Sequence, residues 1–457
     1  MINYALPALL TGQCCPIHAS VVQYRGKEYL DRTSVIVKDL VLIGGGHSHA
    51  IVLKMFGMKP LPGVRLTLIS DVLYAPYSGM LPGHVAGFYD YDECHIDLRS
   101  LAEFAGCHIL VDRAIAIDCS KNQVICQTRP PVDFDLLSVD IGSTPATLSV
   151  SGAAEYAIPA KPVPEFLASW NQLLESRQNH PEKPLRIAIV GGGAGGVELA
   201  LNMQSRLAKE EGFGNGCNGW IFNERGQFKQ EDGLEIHLFH SGAELMPGHN
   251  YRVRHRLKEI MISRDIKVHL MEKVCAIENQ EMIEIASNTQ YPMPNAQCPM
   301  PNVQICCESG LELKCDRIFW VTQASAAHWI GESGLAIDSK GFMQVNDYLQ
   351  SVSHPNVFGA GDIATMVNYP RPKAGVFAVR QGKPLFENLQ NFLLQKPLKP
   401  FVPQEKYLAL IGTGNKRAIA SRGSFMWESP LLWYWKDWID RQFMQKFSNL
   451  PKSSDSQ

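Results

Sequence analysis

The stretch "PLRIAIVGGGAGGVELALNM" (residues 184–203) places an apolar strand, a glycine-rich turn and a helix in direct succession. Its three glycines, Gly191, Gly193 and Gly196, have the G-x-G-x-x-G spacing of a dinucleotide-binding turn. The first glycine permits the tight turn, the second lets a pyrophosphate approach backbone amides, and the third lets the helix pack closely on its strand. The stretch therefore predicts a nucleotide site at the N-terminus of this helix.

A second, imperfect copy of the pattern lies earlier in the chain. "DLVLI" (39–43) predicts a buried strand, Gly44 and Gly46 take the first two glycine positions, and His49 stands where the third glycine is expected. "VRLTLIS" (64–70) predicts the strand that completes a βαβ unit. We interpret His49 as a buried packing residue. Because the two copies are too far apart for one βαβ unit, they predict two nucleotide sites in separate domains.

Four further residues are candidate cofactor contacts. Asp71 follows the second strand directly, about where a dinucleotide-binding fold places the acid that binds a ribose hydroxyl. His47 lies one residue beyond the first glycine turn, close to the predicted phosphate position. The stretch "HPNVFGAGDIATM" (354–366) predicts a short strand and a turn with Gly361, followed by Asp362, whose carboxylate can accept a hydrogen bond from a sugar-like hydroxyl.

An ordered set of motifs resembles a known superfamily. "VLIGGG", "FDLLSVDIGSTP" (134–145), "IAIVGGGAGGVELA", "NVFGAGDIA" and "KAGVFAVRQG" resemble the flavoproteins with two dinucleotide-binding domains of the pyridine nucleotide-disulphide oxidoreductase superfamily, over about residues 39–390. "GGGHSHA", "YAPYSGMLPGHVAGFYDYDECHIDL" (74–98) and "DWIDRQFMQKF" (437–447) look most like a narrower group, the flavoprotein module found N-terminal to selenide, water dikinase. The type II NADH dehydrogenases are related to that group.

The resemblance implies an α/β fold with two Rossmann-like domains, the NAD(P) domain being inserted in the FAD domain. The segments expected on this basis are an N-terminal extension (1–38), the first part of the FAD domain (39–155), the NAD(P) domain (160–332), the second part of the FAD domain (335–385) and a C-terminal cap with an amphipathic helix (390–457).

The same resemblance implies the cofactors and several contacts. The first glycine turn would bind FAD, and the second would bind NADH or NADPH. Gly361 and Asp362 resemble the contact of the family with the flavin ribityl chain and phosphate, and Gly142 lies in the crossover back to the FAD domain. Lys373 would place positive charge by the flavin pyrimidine and favour the anionic reduced state. A solvated loop lysine is the alternative interpretation.

Glu198 and Gln381 are candidate catalytic residues by resemblance. In relatives, the glutamate that matches Glu198 lies near the nicotinamide-flavin junction, although an acid at this place also stabilises a helix N-terminus without a catalytic role. Type II NADH dehydrogenases have two adjacent glutamines near the quinone, whereas this chain has Arg380 and Gln381. Because only one glutamine of this pair is kept, the pattern argues against quinone, and the acceptor stays open between a quinone and another small molecule.

The chain lacks the usual disulphide relay. Disulphide-reducing members of the superfamily have a C-x4-C pair in the helix after the first ribose-binding strand, but residues 71–91 contain no cysteine. Cys94 follows alone and is interpreted as a buried thiol. The reduced flavin is therefore expected to pass electrons directly to a small acceptor.

Composition limits the partners and the compartment. With 43 Lys+Arg and 45 Asp+Glu, the formal net charge is −2, which argues against a nucleic-acid partner. The twelve cysteines have no zinc-type paired spacing and indicate reduced intracellular thiols. No stretch approaches the ~18 apolar residues of a membrane span. We expect a cytoplasmic protein, with peripheral attachment to the cytoplasmic face of a membrane left open.

The C-terminal stretch "SPLLWYWKDWIDRQFMQKF" (429–447) predicts an amphipathic helix. Its helical spacing suggests one common face for Leu431, Leu432, Trp435, Trp438, Ile439, Gln442 and Phe443. Three partners for this face stay open: the body of the protein, a second subunit in a homodimer, and a membrane surface.

The choice between NADH and NADPH also stays open. After the predicted strand "LEIHLF" (234–239), His240 stands where a carboxylate would reject a 2′-phosphate. The sequence as a whole predicts an FAD-dependent NAD(P)H oxidoreductase, like a type II NADH dehydrogenase, which passes hydride from nicotinamide to FAD and electrons on to a quinone or other small acceptor. The alternative is a flavoprotein partner module for selenium metabolism that acts with a selenide, water dikinase.

Overall fold

The computed structural model describes residues 38–145, 150–210, 233–279, 303–322 and 324–451. The predicted N-terminal extension lies outside these residues, apart from Lys38, which begins the first strand.

The first part of the described chain builds most of one parallel sheet. Its elements are β1 (Lys38–Ile43), α1 (His47–Met58), β2 (Val64–Ser70), β3 (Tyr74–Pro76), α2 (Leu81–Val85), β4 (His95–Asp97), α3 (Leu98–Ala105), β5 (His108–Val111), β6 (Ala114–Asp118), β7 (Gln123–Cys126), β8 (Val132–Asp133), β9 (Leu136–Val139) and β10 (Thr144–Pro145). The last four residues of β1, "LVLI", are buried, as expected of a strand covered on both faces. Strands β2 and β9 pair with β1 in parallel, and β5 pairs with β2.

The second part builds another parallel sheet. Its elements are α4 (Ala153–Tyr156), β11 (Ile158–Pro159), α5 (Val163–Asn179), β12 (Leu185–Val190), α6 (Ala194–Glu210), β13 (Leu234–His240), α7 (Tyr251–Ser263), β14 (Lys267–Leu270), β15 (Val274–Asn279), β16 (Val303–Cys307), β17 (Glu312–Cys315) and β18 (Arg317–Trp320). The parallel strands have the order β11-β18-β12-β13-β14, and β15, β16 and β17 form a separate antiparallel sheet.

The third part returns to the first sheet and then adds a C-terminal unit. Its elements are β19 (Ala324–Ser325), α8 (His328–Glu332), β20 (Met343–Val345), β21 (Val357–Gly359), β22 (Ala364–Met366), α9 (Gly375–Leu393), β23 (Ala409–Gly412), β24 (Ala418–Arg422), β25 (Phe425–Ser429) and α10 (Pro430–Ser448). Strand β21 pairs with β9 and completes the order β21-β9-β1-β2-β5. The antiparallel strands β23, β24 and β25 lead directly into α10.

This topology positions both glycine turns. Strands β1 and β12 are the middle strands of their sheets, and each turn leaves the carboxyl end of its strand. In open parallel sheets this is the point at which the strand order reverses and ligands bind. The predicted α/β class is confirmed, whereas the predicted domain boundaries stay predictions.

The C-terminal helix differs from its expected amphipathic form. Leu431, Trp435, Trp438 and Ile439 are exposed, but Leu432 and Phe443 are buried with Trp433, Met444 and Phe447. At 100° per residue these two sets lie on opposite sides of α10. The helix therefore has two apolar faces, one packed on the protein and one exposed, where the sequence predicted one.

Candidate functional site

The first glycine turn surrounds a carboxylate that the sequence interpretation missed. Gly44 has a φ of +89°, and a Cβ on it would collide with the backbone oxygen of Asp140. A Cβ on Gly46 would collide with the Asp140 carboxyl group, and a Cβ on Gly361 would collide with its Oδ1. Three of the predicted cofactor glycines are thus brought together around Asp140, at the end of β9.

Asp140 caps the helix that follows the turn. Its Oδ2 accepts hydrogen bonds from the backbone N–H groups of Ser48 (2.8 Å) and His49 (3.1 Å). The N-cap residue is Gly46, which has no side chain that could bind these N–H groups. Burial raises the pKa of Asp140 to about 7, although these hydrogen bonds oppose the shift. The available sequence signal was an acid at the end of a buried strand in "FDLLSVDIGSTP".

The two histidines of the turn have different surroundings. His49 is fully buried and contacts the backbone oxygen of Gly44 (2.7 Å) and the hydroxyl of Ser138 (2.8 Å), so its interpretation as a packing residue is confirmed. The half-buried ring of His47 packs edge-on against Tyr77, with ring centroids 5.4 Å apart. Its buried Nε2 has no hydrogen-bond partner among the described residues. Because burial lowers the pKa of His47 to about 4, the ring is neutral at pH 7.

The crossover segment and the aspartate turn lie side by side. Asp362 Oδ2 accepts hydrogen bonds from Ser143 Oγ (3.0 Å) and Lys161 Nζ (3.1 Å). Gly142 has a φ of +70° and faces open space. Asp71 has different surroundings: it is exposed, and its carboxylate pairs with Arg113 at 3.0 Å.

Lys373 and Gln381 both turn toward the aspartate motif. Lys373 Nζ donates to the backbone oxygen of Ala364 (2.8 Å) and to Thr365 Oγ1 (2.9 Å), and burial lowers its pKa to about 8. Gln381, in α9, is buried and accepts a hydrogen bond from Gly361 N at 2.8 Å. Both side chains line one small cavity with Gly361 and Asp362. The solvated-loop interpretation of Lys373 is thereby wrong, because its ammonium group is bound to protein oxygens.

The second glycine turn matches its fingerprint in detail. Gly191 has a φ of +128°, and a Cβ there would collide with the backbone oxygen of Val321. A Cβ on Gly196 would collide with the backbone oxygen of Gly191, whereas a Cβ on Gly193 would meet nothing within 4 Å. Gly191 and Gly196 therefore permit close packing, and Gly193 leaves the space that an approaching pyrophosphate requires.

Glu198 is held by the C-terminal unit. Its Oε1 accepts a hydrogen bond from Gly412 N, in β23, at 2.8 Å. Burial raises the pKa of Glu198, and the nearby ammonium group of Lys436 opposes the shift. The carboxyl group of Glu198, in α6, is thus hydrogen-bonded to the C-terminal antiparallel sheet.

The segment that follows β13 is where a contact with the 2′-phosphate of NADPH is expected, and two of its arginines are paired with acids. His240 Nδ1 accepts a hydrogen bond from Gly192 N at 3.3 Å, which ties the strand end to the glycine turn. Arg254 forms an ion pair with Glu244, and Arg256 pairs with Glu428 at 2.6 Å. Glu244 and Glu428 therefore neutralise two of the arginines that follow the strand.

Within the described part of the chain, the eight cysteines are free thiols. Burial raises the pKa of Cys94 to about 12, so this thiol is protonated and inert at neutral pH. Among the described residues, no helix is both long and apolar enough to cross a membrane.

Comparison with known proteins agrees with this geometry. A family model described as pyridine nucleotide-disulphide oxidoreductase matches residues 38–382. Ferroptosis suppressor protein 1 of Taeniopygia guttata is 26% identical over 301 residues, which are 64% of this chain and 65% of that protein. A type II NADH:quinone oxidoreductase of Haemophilus influenzae is 24% identical over 326 residues, 66% of this chain and 65% of the relative. The chain thus spans just under two thirds of the length of these two relatives.

Solved structures share the fold at lower identity. The sulfide:quinone oxidoreductase of Aquifex aeolicus superposes with a TM-score of 0.67 at 17% identity, covering 90% of this chain and 92% of that one. NDH2 of Plasmodium falciparum, in complex with NADH, also has a TM-score of 0.67, at 15% identity, with 91% and 99% of the two chains covered.

Proposed function

The chain belongs to the pyridine nucleotide-disulphide oxidoreductase family, and from this premise we propose that it passes two electrons from NADH or NADPH through FAD to a small quinone-type acceptor. The predicted family and its cofactors, FAD and a nicotinamide nucleotide, are confirmed at the level of the family. An activity like that of the type II NADH dehydrogenases belongs to the proposal, which the similar proteins support. The finer assignment of the acceptor is the proposal.

One observation carries the proposal. Two glycine turns leave the carboxyl ends of the middle strands of two parallel sheets, while residues 71–91 supply no cysteine that could relay electrons. A fold with two nucleotide sites and no relay at that position suits direct transfer from the flavin to an acceptor. The quinone in the names of two similar proteins supports that acceptor class.

The residues present suit these cofactors. The glycines of the first turn let the backbone pass close to Asp140, and His47 offers an unpartnered neutral ring nitrogen at the same turn. At the second turn, the open side of Gly193 suits a pyrophosphate. These features are those expected of two dinucleotide sites.

In the proposed mechanism, FAD supplies the hydride chemistry when bound. Lys373 holds positive charge by the aspartate motif and stabilises negative charge that develops nearby. Burial raises the pKa of Glu198 and so favours its neutral acid, and this carboxyl group is the proposed proton donor to a reduced acceptor. We retain Gln381 as a positioning residue, since its amide is bound to Gly361.

The exposed face of α10 supports peripheral membrane contact. Leu431, Trp435 and Trp438 are 45–68% exposed, and tryptophan is favoured at membrane interfaces. We propose that this face contacts a membrane that contains the quinone, with a homodimer contact as the competing outcome. The selenium-linked alternative gains no support from the comparisons and is not carried further.

The test is anaerobic stopped-flow reduction of the bound flavin by NADH and by NADPH, followed by mixing with a short-chain benzoquinone. Rapid bleaching and prompt recovery of the flavin absorbance are expected. A flavin that neither nucleotide bleaches would refute the proposed dehydrogenase activity. Bleaching without recovery would refute quinone as the acceptor.

A further inference from the structure

A cleft beside the C-terminal helix α10 brings together two stretches that the proposed function does not use. Residues from 74–98 and from 437–447 line it, together with residues of α3. In sequence, both stretches resemble a narrower group of flavoproteins than the superfamily as a whole. The cleft has a volume of about 800 Å³, which is within the range of small-molecule sites. None of the residues that line it belongs to the glycine turns or to the turn around Asp362.

The inner part of the cleft is apolar apart from one histidine. Ile96, Met444 and Phe447 line it and are at most 8% exposed. The half-buried side chains of Phe104 and Leu450 extend this apolar surface. A ligand that covers these side chains removes its own apolar part from water, which favours binding.

The outer part of the cleft is acidic. Asp92, Glu93, Asp97 and Glu103 line it, whereas Arg441 supplies positive charge. Glu93 forms an ion pair with Arg441 at 2.5 Å, and Asp97 is the N-cap of α3. Asp92 and Glu103 are exposed, and neither has an ion pair among the residues that the structure describes. The cleft therefore has two carboxylates that attract a cationic ligand.

His95 is the buried polar residue of the cleft. It is 5% exposed, and its ring stacks on Tyr91 with centroids 3.7 Å apart. Its Nδ1 lies 2.7 Å from the backbone oxygen of Tyr91, which only accepts hydrogen bonds, so Nδ1 carries the proton. Burial lowers the pKa of His95 and favours the neutral ring, in which Nε2 is an acceptor. This Nε2 is buried and has no hydrogen-bond partner within the described chain.

The groups that are left without partners at the cleft are thus all acceptors. A buried acceptor without a donor costs free energy, which a ligand N–H group recovers. The two carboxylates require that the same ligand be a cation, and the apolar inner part requires that it also have an apolar body. An anion would meet repulsion from the carboxylates and no donor at His95.

We propose that this cleft binds a small organic amine, with a primary ammonium group and an apolar body. The ammonium group donates to His95 Nε2 and to the carboxylate of Asp92, three residues earlier in the chain. Glu103, on α3, attracts the same charge, and the body of the amine lies against Ile96 and Phe447. The inference does not depend on the proposed function, because the cleft lies apart from the residues assigned to FAD and the nicotinamide nucleotide.

The first test is calorimetric titration of the FAD-loaded full chain with 2-phenylethylamine at pH 7. We expect saturable binding of one equivalent with a Kd below about 1 mM. Two probes of similar shape separate charge from hydrogen bonding. The anion 3-phenylpropionate should not bind, and benzyltrimethylammonium, a cation without N–H groups, should bind about tenfold more weakly. Absence of saturable binding of the amine, or equal binding of the anion, would overturn the proposal.

The second test assigns the contacts with variants. Asp92→Asn should weaken the binding of 2-phenylethylamine about tenfold, and Glu103→Gln about threefold, since the latter carboxylate acts from a distance. His95→Phe keeps a ring against Tyr91 and removes the acceptor. It should weaken the amine about tenfold and leave benzyltrimethylammonium unchanged.

Glu332→Gln is the matched control, because it removes an exposed carboxylate of α8 outside the cleft and should change neither affinity. Thermal unfolding of each variant shows whether its fold is kept, and if His95→Phe does not fold, Asp92→Asn still decides the outcome. Normal amine affinity in Asp92→Asn, or an equal loss of both cations in a folded His95→Phe, would contradict the assigned site.

Discussion

At the scale of single residues, Asp140 determines how the first glycine turn packs and how its helix is capped. Its carboxyl group fills the space that Gly46 and Gly361 leave, its backbone oxygen lies against Gly44, and it caps α1 from a distant strand. A cofactor phosphate at the same helix end would share the N-terminal positive charge of α1 with this group. The protonation of Asp140 is therefore expected to matter for both stability and cofactor binding.

We predict that Asp140→Asn changes how the free energy of unfolding depends on pH. The folded pKa of Asp140, about 7, lies above its unfolded value of about 4, so the folded state holds the proton more tightly. The contribution of this group to stability is therefore present at low pH and is lost as the pH rises from about 4 to 7. Urea unfolding of the apoprotein should show this fall in the wild type and a flatter profile in Asp140→Asn.

Asp71→Asn serves as the control, because Asp71 is exposed and paired with Arg113 at the surface. An unchanged pH profile in Asp140→Asn would show that the buried carboxyl group does not govern this dependence.

A second prediction separates two glycines of the second turn. Gly196→Ala places a Cβ against the backbone of Gly191 and should destabilise the protein by ~1–3 kcal/mol. Gly193→Ala meets no protein atom, so the fold should keep its stability while a bound pyrophosphate loses room. Nucleotide affinity should then fall at least about tenfold, or ~1.4 kcal/mol. Thermal unfolding and nucleotide titration of the two variants, in parallel, measure both effects; a normal affinity in Gly193→Ala would contradict the assignment.

At the scale of elements, α10 has one face that packs on the protein and one face that is exposed. One face packs through Phe443, Met444 and Phe447, and the same side holds an ion pair between Lys436 and Asp440. The opposite face exposes the apolar side chains of Leu431, Trp435 and Trp438. A helix with this division can join an outer surface to the interior of the protein.

For the exposed face we predict that the double variant Trp435→Ser/Trp438→Ser lowers binding to phospholipid vesicles by about tenfold, because two large apolar side chains no longer enter the interface. Co-sedimentation with vesicles that contain anionic lipid measures this effect. Ile262→Ser, on α7, removes an exposed apolar side chain elsewhere (59% exposed) and should not alter binding. If the tryptophan variant instead dissociates a dimer and keeps its lipid binding, the homodimer interpretation replaces the membrane contact.

At the scale of the whole molecule, the chain leaves the first sheet after β9 and returns to it as β21. Between these points it builds the second sheet, and the two crossings are joined where β10 pairs with β19. The first nucleotide site therefore unites segments far apart in sequence, namely the turn after β1, the end of β9 and the loop after β21. A ligand bound there should stabilise the fold as a unit.

We predict that removal of FAD lowers the melting temperature and that added FAD restores it. At a free concentration of about 1,000 times Kd, FAD should contribute ~4 kcal/mol of stability. Riboflavin, which lacks the pyrophosphate, should restore little, because the glycine turn and the helix N-terminus bind phosphate groups. Thermal unfolding of the apoprotein with each compound tests this; equal rescue by riboflavin would contradict phosphate binding at the first turn.

Much of the architecture could be predicted because its signals are local. The apolar strands, the glycine spacings and the short stretches around Gly361 and Asp362 each lie within one segment of chain, and the structure has the strands and turns where these patterns predict them. The helix α10 lies where the sequence predicted it, but helical spacing alone could not tell which of its apolar residues pack on the protein. Prediction also missed Asp140, because no neighbouring residue marks an aspartate as a cap for a helix in another segment.

The sequence by itself determined the two βαβ units, the glycine turns and the family, since these depend on conformations that only particular residues adopt over short distances. Tertiary structure alone decided what each turn contacts. Asp140 reaches Ser48 across 92 residues, and Glu198 reaches Gly412 across 214. Such contacts arise when sheets close and helices pack, and burial then changes the pKa of each acid. The protonation states at the candidate site are therefore properties of the folded chain and not of any one segment.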